Sequence, residues 1–107
     1  MTPFHTEIFE GFTINVYALP EDTDPADCFD DCCADDIAAI RDGRCEWFIA
    51  MATASVDGVE LGCAYLGGCA YYSLRDFISP DGYFEDLRAE AIAGAQETLG
   101  RITATLA

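Results

Sequence analysis

From Phe12 onward, hydrophobic and polar positions alternate with a period of two. Phe12, Ile14, Val16 and Ala18 fall on one side, and Thr13, Asn15, Tyr17 and Leu19 on the other. The pattern predicts a strand over residues 7–19, ended by Pro20, which has no N–H to give to a ladder. A polar loop over 21–31 follows, with Pro25 inside it. A short helix is expected over 32–41, where Ala34, Ile37, Ala38 and Ile40 give a modest apolar face and Asp42-Gly43 stops it. Residues 45–56 return to strand character. Trp47, Ile49, Met51 and Thr53 share one face, and Phe48, Ala50, Ala52 and Ala54 the other. Asp57-Gly58 is the strongest hairpin signal in the chain. The returning strand is then 59–65, broken or bent at Leu66-Gly67-Gly68-Cys69 and extended by 70–72.

Ser73-Leu74-Arg75-Asp76 reads as an N-cap with an acid at the third helical position, opening a short helix through Ile78. Ser79-Pro80-Asp81 is a second start signal, a cap followed by proline at the first helical position. The long C-terminal helix carries Phe84, Leu87, Ala91, Ala95, Leu99, Ile102 and Leu106 in steps of three or four, which makes one apolar stripe. Arg88 belongs with Glu85, Asp86, Glu90, Gln96 and Glu97 on the solvated faces. The order strand, helix, hairpin, helix predicts an α+β fold: an antiparallel sheet of three or four strands with the C-terminal helix on one face. At 107 residues the chain is one domain, 1–107. The second sheet face is left either to solvent or to another copy of the chain, a homodimer, with Tyr65, Tyr71 and Tyr72 placed on it.

Charge changes the picture. Twenty acids stand against five arginines, there is no lysine, and the net charge is −15. Eight of the acids, Glu21, Asp22, Asp24, Asp27, Asp30, Asp31, Asp35 and Asp36, fall within sixteen residues that hold no basic residue. Such a charge costs self-repulsion and does nothing for the fold. Hydrophobic residues still make up 51% of the chain, far above a disordered acidic tail. The pattern is that of a folded body with a segregated acidic surface. No apolar run reaches a membrane span. Met1-Thr2-Pro3-Phe4-His5 lacks the basic and apolar regions of a signal peptide. The expected address is the cytoplasm.

Candidate chemistry is sparse. The single histidine, His5, lies near a terminus expected to be mobile, so a Cys–His nucleophile has no obvious base. Paired carboxylates abound, but a chain of this size leaves little room for a glycosidase cleft. Cysteines at 28, 32, 33, 45, 63 and 69 are read mainly as reduced, partly buried thiols, with disulfides or a metal site as alternatives. Cys28-x3-Cys32-Cys33 does not match zinc-ligand spacing. The acids at 22, 24, 27, 30 and 31 fail the calcium-loop template, since Pro25-Ala26 stand where a ligand and the turn glycine belong. Gly67-Gly68 lacks the lysine of a phosphate loop. Direct nucleic-acid binding is excluded by the missing basic patch. No cofactor is expected.

The acidic face itself remains. Grooves that hold nucleic acid are lined with Arg and Lys, and a rigid protein with carboxylates along one face can occupy one. Asp27, Asp30, Asp31, Asp35 and Asp36 would form a ridge, which Glu85, Asp86 and Glu90 extend. Phe12-Thr-Ile-Asn-Val-Tyr, Cys45-Glu-Trp-Phe and Leu66-Gly-Gly-Cys69 read as ordinary core sequence. In size, charge and architecture the chain resembles small anti-defence proteins of phages and mobile elements, the anti-CRISPR and antirestriction proteins that mimic nucleic acid. The resemblance implies a non-catalytic, stoichiometric inhibitor with no catalytic residue. Its partner would be a basic, Lys/Arg-rich protein surface, on a CRISPR surveillance complex or another DNA-binding defence protein. Two other readings stay open: an acidic structural or accessory protein whose charge serves solubility, and a cysteine-based metal or redox module.

Overall fold

The computed structural model describes residues 2–28, 34–80 and 83–106. Its elements run β1 (His5–Phe9), β2 (Phe12–Pro20), α1 (Pro25–Cys28), α2 (Ala34–Arg41), β3 (Glu46–Val56), β4 (Val59–Tyr71), α3 (Leu74–Phe77) and α4 (Phe84–Leu106). The four strands form one antiparallel sheet in the order β1-β2-β3-β4, and α4 packs on β4 and β3. The α+β architecture expected from the sequence is therefore present, with four strands.

The expected strand over 7–19 is two strands. It turns back at Glu10-Gly11, which both adopt left-handed backbone, φ 53° and 85°. Asp57-Gly58 makes the same kind of turn at φ 50° and 80°, as its sequence signals. β1 then pairs with β2 from His5↔Val16 to Phe9↔Phe12. Phe4 and His5 are tied to the sheet where a loose terminus was expected: Phe4 donates its N–H to the Val16 carbonyl and packs edge-on against Phe48 and Phe77, and His5 opens β1.

β4 is one strand of 13 residues, so of the break or bend expected at 66–69 it is the bend that occurs. Phe48 pairs with Cys69 and Ala50 with Leu66, so Ile49 alone faces Gly67 and Gly68. This is a β-bulge, and Gly68, at φ 66°, supplies the left-handed residue it needs. The glycines thus bend the strand without ending it.

The alternation separates the faces as expected. Phe12, Ile14 and Val16 of β2 join Phe48, Ala50, Ala52 and Ala54 of β3 in the core, covered by Phe77, Phe84, Leu87, Ala91, Ile92 and Ala95. The small residues of β3 and β4 allow the close approach of α4. A Cβ on Gly62 would overlap the Ala91 carbonyl oxygen. Tyr71 belongs to this core side, stacked edge-on on Phe77, and only Tyr65 of the three tyrosines alternates onto the second face. Tyr72 lies past the end of β4 and is exposed.

Two helix starts differ from expectation. Asp24-Pro25 opens a one-turn helix inside the supposed loop: Asp24 Oδ1 accepts from the Ala26 N–H at 2.9 Å, and Pro25 needs no partner at the first position. α4 begins at Phe84, after the Ser79-Pro80 signal, with Tyr83 accepting the first helical bond from Leu87. Asp81 lies outside the described residues. Ser73 caps α3 as predicted, accepting from the Arg75 N–H.

Candidate acidic interface

Glu21 is held inward. Its Oε2 accepts from the Gly68 N–H at 2.9 Å and its Oε1 from the Thr23 N–H at 3.1 Å. The bulge creates an N–H that no neighbouring strand takes up, and the carboxylate fills it. These bonds, the Gly68 one first, hold the Glu21 carboxyl below the usual carboxylate range. Trp47 donates its indole N–H to the Thr23 carbonyl at 2.9 Å, pinning the same segment.

Asp24 is likewise committed. It caps α1 and pairs with Arg41 at 3.1 Å, and both contacts lower its pKa, the Ala26 N–H more than the arginine. The stretch without basic residues thus receives one counter-charge from outside, on an exposed pair of small energetic weight. Asp22, Asp27, Asp35 and Asp36 are exposed. Asp35 and Asp36 sit in the first turn of α2, where the helix dipole favours negative charge. Asp30 and Asp31 lie outside the described residues, as do Cys32 and Cys33 of the cysteine cluster.

The acids of α4, Glu85, Asp86 and Glu90, are exposed too. They start from the same end of the sheet as α2. Cys45 donates its N–H to Ala39 of α2, Glu46 pairs with Tyr71, Tyr71 stacks on Phe77, and Phe77 on Phe84 at the start of α4. Burial raises the Cys45 thiol first, and the Asp36 charge adds to the effect. Asp86 and Glu90 flank a trough of about 210 Å³ between α4 and the free edge of β4, whose other walls include Tyr65 and Tyr83. Carboxylates beside aromatic faces suit a Lys or Arg side chain.

Arg88 was expected on a solvated face and is drawn inward instead. Its side chain is only 15% exposed, bonds Glu7 Oε2 at 3.0 Å and lies 3.6 Å over the Phe9 ring. His5 shares that Glu7, at 2.7 Å, and sets its ring edge-on to Phe84. The chain's histidine is therefore a strand residue with a local partner. Cys45 and Cys69 are buried free thiols and Cys63 an exposed one. Burial raises the Cys69 thiol as it does Cys45, which disfavours the thiolate that metal binding or exchange requires. Among the described residues no three His, Cys, Asp or Glu converge on a metal-sized site, and no helix is long and apolar enough to cross a membrane.

The hairpin at Glu10-Gly11, the bulge and the inward carboxylate of Glu21 were missed in the sequence. Only Gly11 and Gly67-Gly68 carried a signal for them. No family model matches this chain, and no curated protein or solved structure matches it either.

Proposed function

We propose that this chain is a non-catalytic, stoichiometric inhibitor that offers an anionic end to the nucleic-acid-binding surface of a defence complex in the cytoplasm of a bacterial or archaeal host. The partner is a basic, Lys/Arg-rich protein surface, of a CRISPR surveillance complex or another DNA-binding defence protein. The reading rests on one observation. Asp22, Asp27, Asp35, Asp36, Glu85, Asp86 and Glu90 are exposed on elements that start at the same end of the sheet, and among the described residues a single exposed arginine pair offsets the segment before α2. Unpaired carboxylates on a packed body attract a groove built for phosphates, and rigidity keeps the ordering cost of binding low. Glu21 and Asp24 contribute charge to this field, but their carboxylates serve the fold. The trough beside Asp86 and Glu90 adds a place for an arginine or lysine to seat.

Electrostatic association of this kind is fast and salt-sensitive. Neutralising Asp27, Asp30, Asp31, Asp35 and Asp36 to Asn should slow association with the captured complex by about ten- to a hundredfold while the circular dichroism melt is retained. Binding kinetics across salt concentrations check this. An affinity indifferent to salt, or full inhibition by the neutralised variant, overturns the proposal. Recovery of no basic partner from host lysate at any salt, with stability rising in molar salt, favours charge for solubility instead.

A further inference from the structure

The sheet has two faces, and α3 and α4 pack on one. An antiparallel sheet with a solvated second face alternates apolar with polar or charged residues. Here the outward positions hold Tyr17, Leu19, Ile49, Met51 and Tyr65 as one apolar cluster, and Thr6, Thr13, Asn15, Thr53 and Cys63, small and uncharged, fill the rest of the face. The register sets them side by side: Leu19↔Ile49, Tyr17↔Met51 and Met51↔Tyr65. Ile8 extends the face onto β1 and is 80% exposed. In a chain of net charge −15, no outward position in the body of the four strands is charged. Glu21, bonded to Gly68, and Glu60, opposite Ser55, border the face at its two ends.

The geometry points to a second copy of this chain as the occupant of that face, in a two-fold dimer with the sheets packed face to face. Charge selects the copy. A cationic partner finds carboxylates only at the borders of this face and is drawn to the acidic end. Two anionic copies repel each other over most of their surface, and this is the face on which they meet without desolvating a charge. A two-fold axis needs only one self-complementary patch. The area is adequate. Three strands at about 4.8 Å spacing over the nine residues of β3 from Trp47 to Ser55, with the shorter five-residue β1 beside them, give a flat footprint of about 510 Å². Doubled for two protomers, that is about 1,000 Å², at the lower bound for specific interfaces before side-chain relief is added.

The inference stands apart from the proposed inhibitory role, because salt acts on the two in opposite directions. Screening weakens attraction to a basic partner and relieves repulsion between copies. Light scattering on a sizing column, in about 50 mM and about 1 M sodium chloride, should show the mass rising with salt from the chain's 11.6 kDa towards twice that value. Met51→Glu, and separately Tyr65→Glu at a position already 61% exposed, should each raise the dimer dissociation constant at least about tenfold. Thermal melts confirm that each variant is folded, and the exposed Tyr65 site guards against a variant that fails to fold. A mass fixed at 11.6 kDa in high salt overturns the inference. So does a dimer that Tyr65→Glu and a folded Met51→Glu both leave intact.

Discussion

Glu21 counts as surface charge by position and acts as a structural ligand by geometry. Its carboxyl is held below its ordinary range by the Gly68 N–H first and the Thr23 N–H second. A carboxyl whose folded pKa lies below its unfolded one stabilises the fold above the unfolded value, about 4.3 for glutamate. That contribution is lost as the pH falls through the folded value. Glu21→Gln should therefore melt earlier than the parent protein at neutral pH, and the gap should close in strong acid. Thermal melts at a series of pH values check this, and a gap of constant size would show that ionisation is not its source. None of it was legible beforehand, because the partner N–H belongs to a bulge 47 residues away. Arg88 teaches the same lesson. Its helix position suggests solvent, yet Glu7 and the Phe9 ring, from a strand remote in sequence, hold it inward.

The elements were more legible than their joints. β3 and the Asp57-Gly58 hairpin follow directly from alternation and turn chemistry, because both signals are local. Glu10-Gly11 makes an equivalent turn without its usual Asn or Asp. Alternation runs straight through it, so two strands read as one. The contact of α4 with β4 was invisible as such, but its requirement shows at Gly62. A side chain there meets the Ala91 carbonyl and the Ala95 N–H, main-chain atoms that cannot rotate away. Gly62→Ala should force α4 off the sheet and cost about 3 kcal/mol, the upper range for overpacked sites. Urea denaturation measures it, and a loss under about 0.5 kcal/mol would mean that the helix slides freely on β4.

At the scale of the molecule, the helix stripe outruns its sheet. Leu87, Ala91 and Ala95 are buried as the stripe predicts, but Leu99, Ile102 and Leu106 are 38%, 45% and 82% exposed. Length explains this: α4 crosses β4 where Ala91 and Ala95 meet Gly62, three residues from the start of that strand. Eleven further helical residues rise about 16 Å, beyond what the β3–β4 hairpin can cover. A chain ending at Thr98 should keep the sheet and core and lose less than about 1 kcal/mol, since every residue from 99 to 106 is exposed. Circular dichroism and denaturation of the shortened chain test this. A collapse would assign the overhang a structural role. Periodicity marked the stripe correctly and was silent on where its cover stops.

That overhang carries a second consequence. Residues 98–106 hold no acid and one arginine, Arg101, while the opposite end of the sheet bears most of the unpaired carboxylates. On a body 56 Å long and about half as wide, such a separation gives the molecule a permanent dipole moment. In the field of a polycationic surface it experiences a torque as well as a pull. It turns as it comes within about a Debye length of that surface, a distance that dilute buffer extends, and arrives with its carboxylates leading. Fewer encounters are then wasted on the wrong orientation.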